Sequence, residues 1–231
     1  MDISDTVKKF DQAKEVIITW FSVLTRGPNA FEQMDLEKSS TLFYALRFML
    51  YMSFVDVLLH LPVIAQFGAK NIFIEPVWIL ETYLEYFVTG FLLYGSMKLF
   101  GGKGTLQACT AAYCFLTAYL PIIGVLMLPT HRLIISNMAD DVPAPVVSKK
   151  IYDQLSQLSV WEVVGVCLSF LLSTVVFALF FVSVFRAFRR LHRLNKFPAL
   201  LAFVLGLFGS VVVLIFFLAP LLSAVLPKRM H

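Results

Sequence analysis

The side chains best suited to chemistry in this sequence are four ionisable groups set inside apolar runs. Asp56 and His60 stand four apart in Thr41–Leu61, and Glu81 and Glu85 stand four apart in Val77–Leu99. On a helix that spacing puts the members of each pair on one face. If the first run ends near Leu61, Asp56 lies about 8 Å inside that boundary, and if the second returns from Val77, Glu81 and Glu85 lie about 6 and 12 Å inside it. The four groups are then at matching depth on consecutive antiparallel helices. An ionisable side chain costs at least ~2.5 kcal/mol near the centre of a bilayer, so its presence there makes it a functional candidate by default. Two readings follow. A carboxylate–imidazole cluster could relay protons or bind a divalent cation, and its donors would suit zinc, manganese or ferrous iron better than calcium. Alternatively, the four groups hydrogen-bond each other and Tyr83 or Tyr86, clasping the two helices together. Arg47, earlier in the first run, is placed to snorkel to headgroups.

Other chemistry is absent. The chain has no H-E-x-x-H, no G-x-S-x-G and no P-loop. Gly101-Gly102-Lys103-Gly104 lacks the Walker spacing and the following Ser or Thr, and reads as a tight turn between two apolar segments. Cys109, Cys114 and Cys167 are odd in number and lack metal-ligand spacing. Each falls in an apolar run and reads as a small buried apolar residue.

The elements that would position these groups are set by composition. Of 231 residues, 59% are apolar and only 15% charged, and the mean hydropathy is +0.80. Soluble domains have about 45–50% apolar and about 25% charged residues. Even a large domain buries only about 70–75% of the surface its unfolded chain exposes, so this apolar excess cannot be hidden in water. The net charge of +4 is too small for a nucleic-acid binder. The fold class is all-α, a polytopic membrane bundle. Three charge-free runs, Gln107–Leu128, Val163–Phe185 and Pro198–Leu226, meet or exceed the roughly 20 residues that cross a bilayer. The last is overlong, and Pro220 is placed to kink or end it. With Thr41–Leu61 and Val77–Leu99 they predict five spans in a domain of residues 41–226. A segment of residues 1–40 precedes it and a short tail of residues 227–231 follows.

Residues 1–40 hold no span-length run and no signal-peptide cleavage site. Val7, Phe10, Ile17, Phe21 and Leu24 recur on one side of a helix. That pattern suits a helix lying in the membrane interface or one packed on the bundle. A loop is expected over His131–Ser159, opening after Pro129. Within it, Val147, Ile151, Leu155 and Leu158 predict a short amphipathic surface helix. Lys and Arg fall twelve on one side of the five-span layout and six on the other, with Arg47 inside the first span. The excess side, which includes the N-terminus, is expected to be cytoplasmic and the C-terminus outside. Arg186, Arg189, Arg190, Arg193 and Lys196 form the basic loop after the fourth span, suited to anionic headgroups or to fixing topology alone.

The segment Leu93-Tyr94-Gly95-Ser96-Met97-Lys98-Leu99-Phe100-Gly101-Gly102-Lys103-Gly104-Thr105 resembles the YIP domain family (Ypt/Rab-interacting membrane proteins), particularly its short prokaryotic branch. The likeness continues through Ala112-Tyr113, Tyr119-Leu120-Pro121, the span led by Trp161, and Pro28 with Phe31, covering most of residues 20–220. It implies five spans, a cytoplasmic N-terminus and a role in organising or shaping membranes through lipid and protein contacts. A bacterial cytoplasmic membrane is the expected location. The family's Asp-Leu-x-Gly-Pro motif is reduced here to Asp35-Leu36 followed by Glu37-Lys38, which argues against small-GTPase binding. A non-enzymatic protein that oligomerises, or joins other membrane proteins, through small-residue faces such as Gly206/Ser210 and Ser169/Ser173 is the leading expectation. A transporter, channel or cation-handling protein built on the Asp/His/Glu cluster is the alternative.

Overall fold

A computed structural model describes residues 3–31, 34–66, 74–138 and 158–218. The described chain is helical, and no strand occurs among the described residues. Helix α1 (Ile3–Arg26) leads into a 3-10 turn (Gly27–Phe31). Then follow α2 (Ser39–Gln66), α3 (Ile74–Leu99), α4 (Leu106–Leu116), a 3-10 turn (Thr117–Tyr119) and α5 (Leu120–Met138). Helix α6 (Val160–His192) and α7 (Lys196–Val213), which runs on into a π-turn (Leu214–Leu218), complete the set. Among the described residues, four segments are long and apolar enough to cross a membrane: Ser39–Leu61, Leu106–Thr130, Val160–His192 and Lys196–Phe217. Helix α3 matches them in length at 26 residues, but Glu81, Glu85 and Lys98 dilute its apolar character.

Helix α4 is the axis of the bundle. From Ala108 to Pro121 every residue but Thr110 is buried. Its alanines at 108, 111, 112 and 118 let neighbouring helices approach closely, as small residues do in membrane packing. Phe115 is ringed by Phe31, Phe48 and Tyr44 at centroid distances of 5.5, 5.6 and 5.7 Å. Outer helices show the reverse pattern. Trp161 is 83% exposed, and Val164, Leu168, Leu172, Val175 and Leu179 continue the open apolar face of α6. In water such a face would be an aggregation surface; in hydrocarbon it is solvated.

Proline explains the break between α4 and α5. Pro121 has no N–H to offer the carbonyl four residues back, at Thr117, and its ring crowds that carbonyl. The chain tightens instead into the 3-10 turn over Thr117–Tyr119. Pro129 does not end α5, contrary to the expected loop opening: the helix continues to Met138 with that proline inside it. The fourth run is also longer than expected. Ser159 and Glu162 form a capping box that starts α6 at Val160. The helix carries the basic run to His192, so only residues 193–195 connect α6 to α7. The predicted surface helix at Val147–Leu158 and Pro220 lie, but for Leu158, outside the described residues.

Bonds between elements gather at one end of the bundle. Gln107 Nε2 donates to the Glu37 carbonyl at 2.6 Å, placing the starts of α2 and α4 side by side. Lys103 N donates to the His192 carbonyl at 3.0 Å, joining the ends of α3 and α6. Arg190 Nη1 donates to Asn29 Oδ1 at 2.7 Å, tying the turn after α1 to the same end.

The small-residue faces are spent inside the chain. A Cβ on Gly206 would meet Ser96 Oγ at 2.6 Å and Leu93 Cδ2 at 2.9 Å, so α7 packs directly on α3. Ser169 donates to the Leu126 carbonyl, and Ser173 lies 3.1 Å from Met127 Sδ, so that face holds α6 on α5. Cys109 and Cys114 are buried as expected, whereas Cys167 is exposed on the outer face of α6.

Candidate functional site

Asp56 and His60 meet as their spacing requires. His60 Nδ1 lies 2.8 Å from the Asp56 main-chain oxygen, to which a protonated Nδ1 donates within one turn of α2, and 3.3 Å from Asp56 Oδ1. Asp56 is 7% exposed. The Tyr83 hydroxyl from α3 sits beside the Asp56 carboxylate, on a side chain only 2% exposed. Neither Tyr83 Oη nor Asp56 Oδ1 completes a hydrogen bond of good geometry. The third wall is α5, where a Cβ on Gly124 would come within 2.6 Å of Asp56 Oδ1 and 2.8 Å of His60 Cε1. Glycine is required there because the ion pair occupies the side-chain space.

Glu81 and Glu85 do not join this pair. Each is two residues from Tyr83, hence about 200° around the helix from it. With Tyr83 turned to Asp56, both acids face away. Glu81 and Glu85 interact with each other, Glu85 also lies near Tyr86, and Glu81 Oε2 is buried without a hydrogen bond. No three His, Cys, Asp or Glu side chains among the described residues are placed to hold a metal ion. The arrangement that results is a carboxylate, an imidazole and a phenol, which can hold and exchange a proton.

A second polar centre, which no motif or spacing announces, lies at the other end of the bundle. His192 is fully buried. Its Nε2 is 3.2 Å from Cys109 Sγ, and its ring stacks on Phe188 and leans on Tyr94. The Gly101–Gly104 segment is its seat. Gly101 (φ 82°) ends α3, with Gly101 N bonded to the Lys98 carbonyl and Gly102 N to that of Met97, the pairing of a Schellman cap. A Cβ on Gly102 would collide with the His192 ring, and one on Gly104 would press on it at 3.1 Å. The glycines expected to make a turn thus also receive a histidine from a distant helix.

The lipid-facing candidates are divided by the fold. Arg186, Arg190, Arg193 and Lys196 are exposed and Arg189 is half-buried, all around the junction of α6 and α7. Helix α1 has two working faces. Thr19 and Val23 are buried, and Trp20 Nε1 donates to the Ala118 carbonyl at 2.8 Å. Ile17, Ile18 and Phe21 are exposed on the other side. Leu24, expected on the same side as Ile17 and Phe21, packs against the core instead. The Phe10 side chain lies outside the described set.

No family model, curated protein or solved structure matches this chain.

Proposed function

We propose that this chain is a YIP-like, non-enzymatic membrane protein that organises the bilayer around it. It has five spans, with α3 as the second, a cytoplasmic N-terminus and an external C-terminus, in a bacterial cytoplasmic membrane. The observation that carries the reading is α1: a 24-residue helix docked to the bundle through Trp20 while Ile17, Ile18 and Phe21 remain exposed. A helix fixed by one face and apolar on another inserts that second face as a shallow wedge among lipid headgroups. The exposed Arg186, Arg190, Arg193 and Lys196 lie at the bundle end to which α1 is tied through Asn29, where they would attract anionic lipid. Vesicles containing anionic lipid and the full chain should become smaller, or tubular, relative to protein-free vesicles. The Ile17→Ser/Phe21→Ser variant, whose changes touch only exposed positions, should lose that effect while remaining inserted. Equal vesicle shapes for the native protein and the variant would remove α1 from the mechanism.

A further inference from the structure

We propose that Asp56, His60 and Tyr83 form a proton-binding site inside the bundle. Three observations on geometry carry this, and none depends on the role of α1. Asp56 is buried with the His60 imidazole 3.3 Å from its carboxylate. Tyr83 Oη, itself buried, stands beside Asp56 without a completed hydrogen bond, as does Asp56 Oδ1. Gly124 gives up its side-chain space to the pair, so the α5 backbone closes directly over it.

The chemistry is that of one proton on two bases. With His60 neutral and Asp56 ionised, the pair carries a net charge of −1; uptake of a proton at the imidazole or the carboxylate brings it to zero. The phenol serves both forms, donating to an ionised carboxylate or accepting from a protonated one. Histidine is the side chain whose ordinary charge change falls in the physiological range. Among the described residues, Tyr83 from α3 and the backbone at Gly124 from α5 face the pair; Glu81 and Glu85 occupy the other side of α3, with Tyr86 beside Glu85. A divalent cation would need further ligands, and the described residues supply no third.

The test is NMR of the full-length protein in lipid nanodiscs, observing imidazole 15N and carboxyl 13C signals from about pH 8 to about pH 5. The His60 signal, assigned by its loss in His60→Gln, should titrate together with one carboxyl signal that disappears in Asp56→Asn. Tyr83→Phe removes one hydroxyl and should keep the fold while moving the shared midpoint by at least about half a pH unit. A His60 signal that does not titrate across the range would make the group a fixed clasp and overturn the proposal. So would a midpoint indifferent to both Asp56→Asn and Tyr83→Phe, or one that appears only when zinc or manganese is added.

Discussion

Substituting glycines one at a time separates seats from spacers. Gly102→Ala would drive a methyl into the His192 ring and to 2.7 Å from the Met97 carbonyl, which is backbone and cannot swing aside. Overpacking of this kind costs about 1–3 kcal/mol. Gly95, in the middle of α3, has nothing within 4 Å of its added Cβ. Gly95→Ala should therefore stabilise by about 0.5–1 kcal/mol through helix propensity. Thermal unfolding in detergent should place the two variants on opposite sides of the native protein; equal shifts would mean that His192 is not held by Gly102. This scale is where the sequence was least legible. Gly101–Gly104 announces a turn, because turn chemistry is local. Its partner His192 comes from another helix, and no periodicity connects them. Asp56 and His60 could be paired by spacing alone, whereas the orientation of α3 decided that Tyr83 and not Glu81 or Glu85 would complete the group.

Between residue and bundle, the elements were legible in their existence and misread at their ends. Apolar runs mark helices because hydrocarbon tolerates no unpaired backbone, and the described runs are helical, Gln107–Leu128 being divided into two helices at the 3-10 turn Thr117–Tyr119. Ends depend on subtler chemistry. Pro129 reads as a stop, yet a proline within a packed membrane helix costs one hydrogen bond that neighbours can compensate. The run Arg186–His192 reads as a loop because it is charged, yet its long side chains leave the bilayer without the backbone having to unwind. The amphipathic pattern of α1 left open whether it packs on lipid or on protein, and the helix does both. Its attachment rests on Trp20 Nε1 and the Ala118 carbonyl in the 3-10 turn forced by Pro121. Trp20→Phe keeps a ring in the groove and removes the donor. It should cost about 1 kcal/mol and speed hydrogen exchange along α1 while leaving α4 unchanged. Unaltered exchange in α1 would show that its other contacts, the Thr19–Tyr44 hydrogen bond among them, hold it without the indole donor.

For the molecule as a whole, the arrangement of helix ends bears on how many times the chain crosses. The starts of α2, α4 and α7 and the ends of α3 and α6 share one end of the bundle, joined by the Glu37–Gln107 and Lys103–His192 bonds and the short 193–195 link. Lys38, Lys98, Lys103, Arg186, Arg189, Arg190, Arg193 and Lys196 gather there as well, which is the distribution expected of a cytoplasmic face. That arrangement requires α3 to run the full depth of the bundle, although its charged residues keep it out of the four segments apolar enough to cross by composition. Its length of 26 residues, about 39 Å as a helix, is sufficient for a crossing. Single cysteines at Lys38, Lys103, Ser159 and Lys196 decide the matter with a membrane-impermeant thiol reagent. The native thiols should stay silent, since Cys109 and Cys114 are buried and Cys167 faces outward from an apolar stretch of α6. With five crossings, Lys38→Cys, Lys103→Cys and Lys196→Cys label from the cytoplasmic side and Ser159→Cys from the other. If α3 does not cross, Lys38→Cys and Lys103→Cys must label from opposite sides. The Glu37–Gln107 bond would then have to break in the membrane, because it cannot hold two positions separated by the thickness of a bilayer.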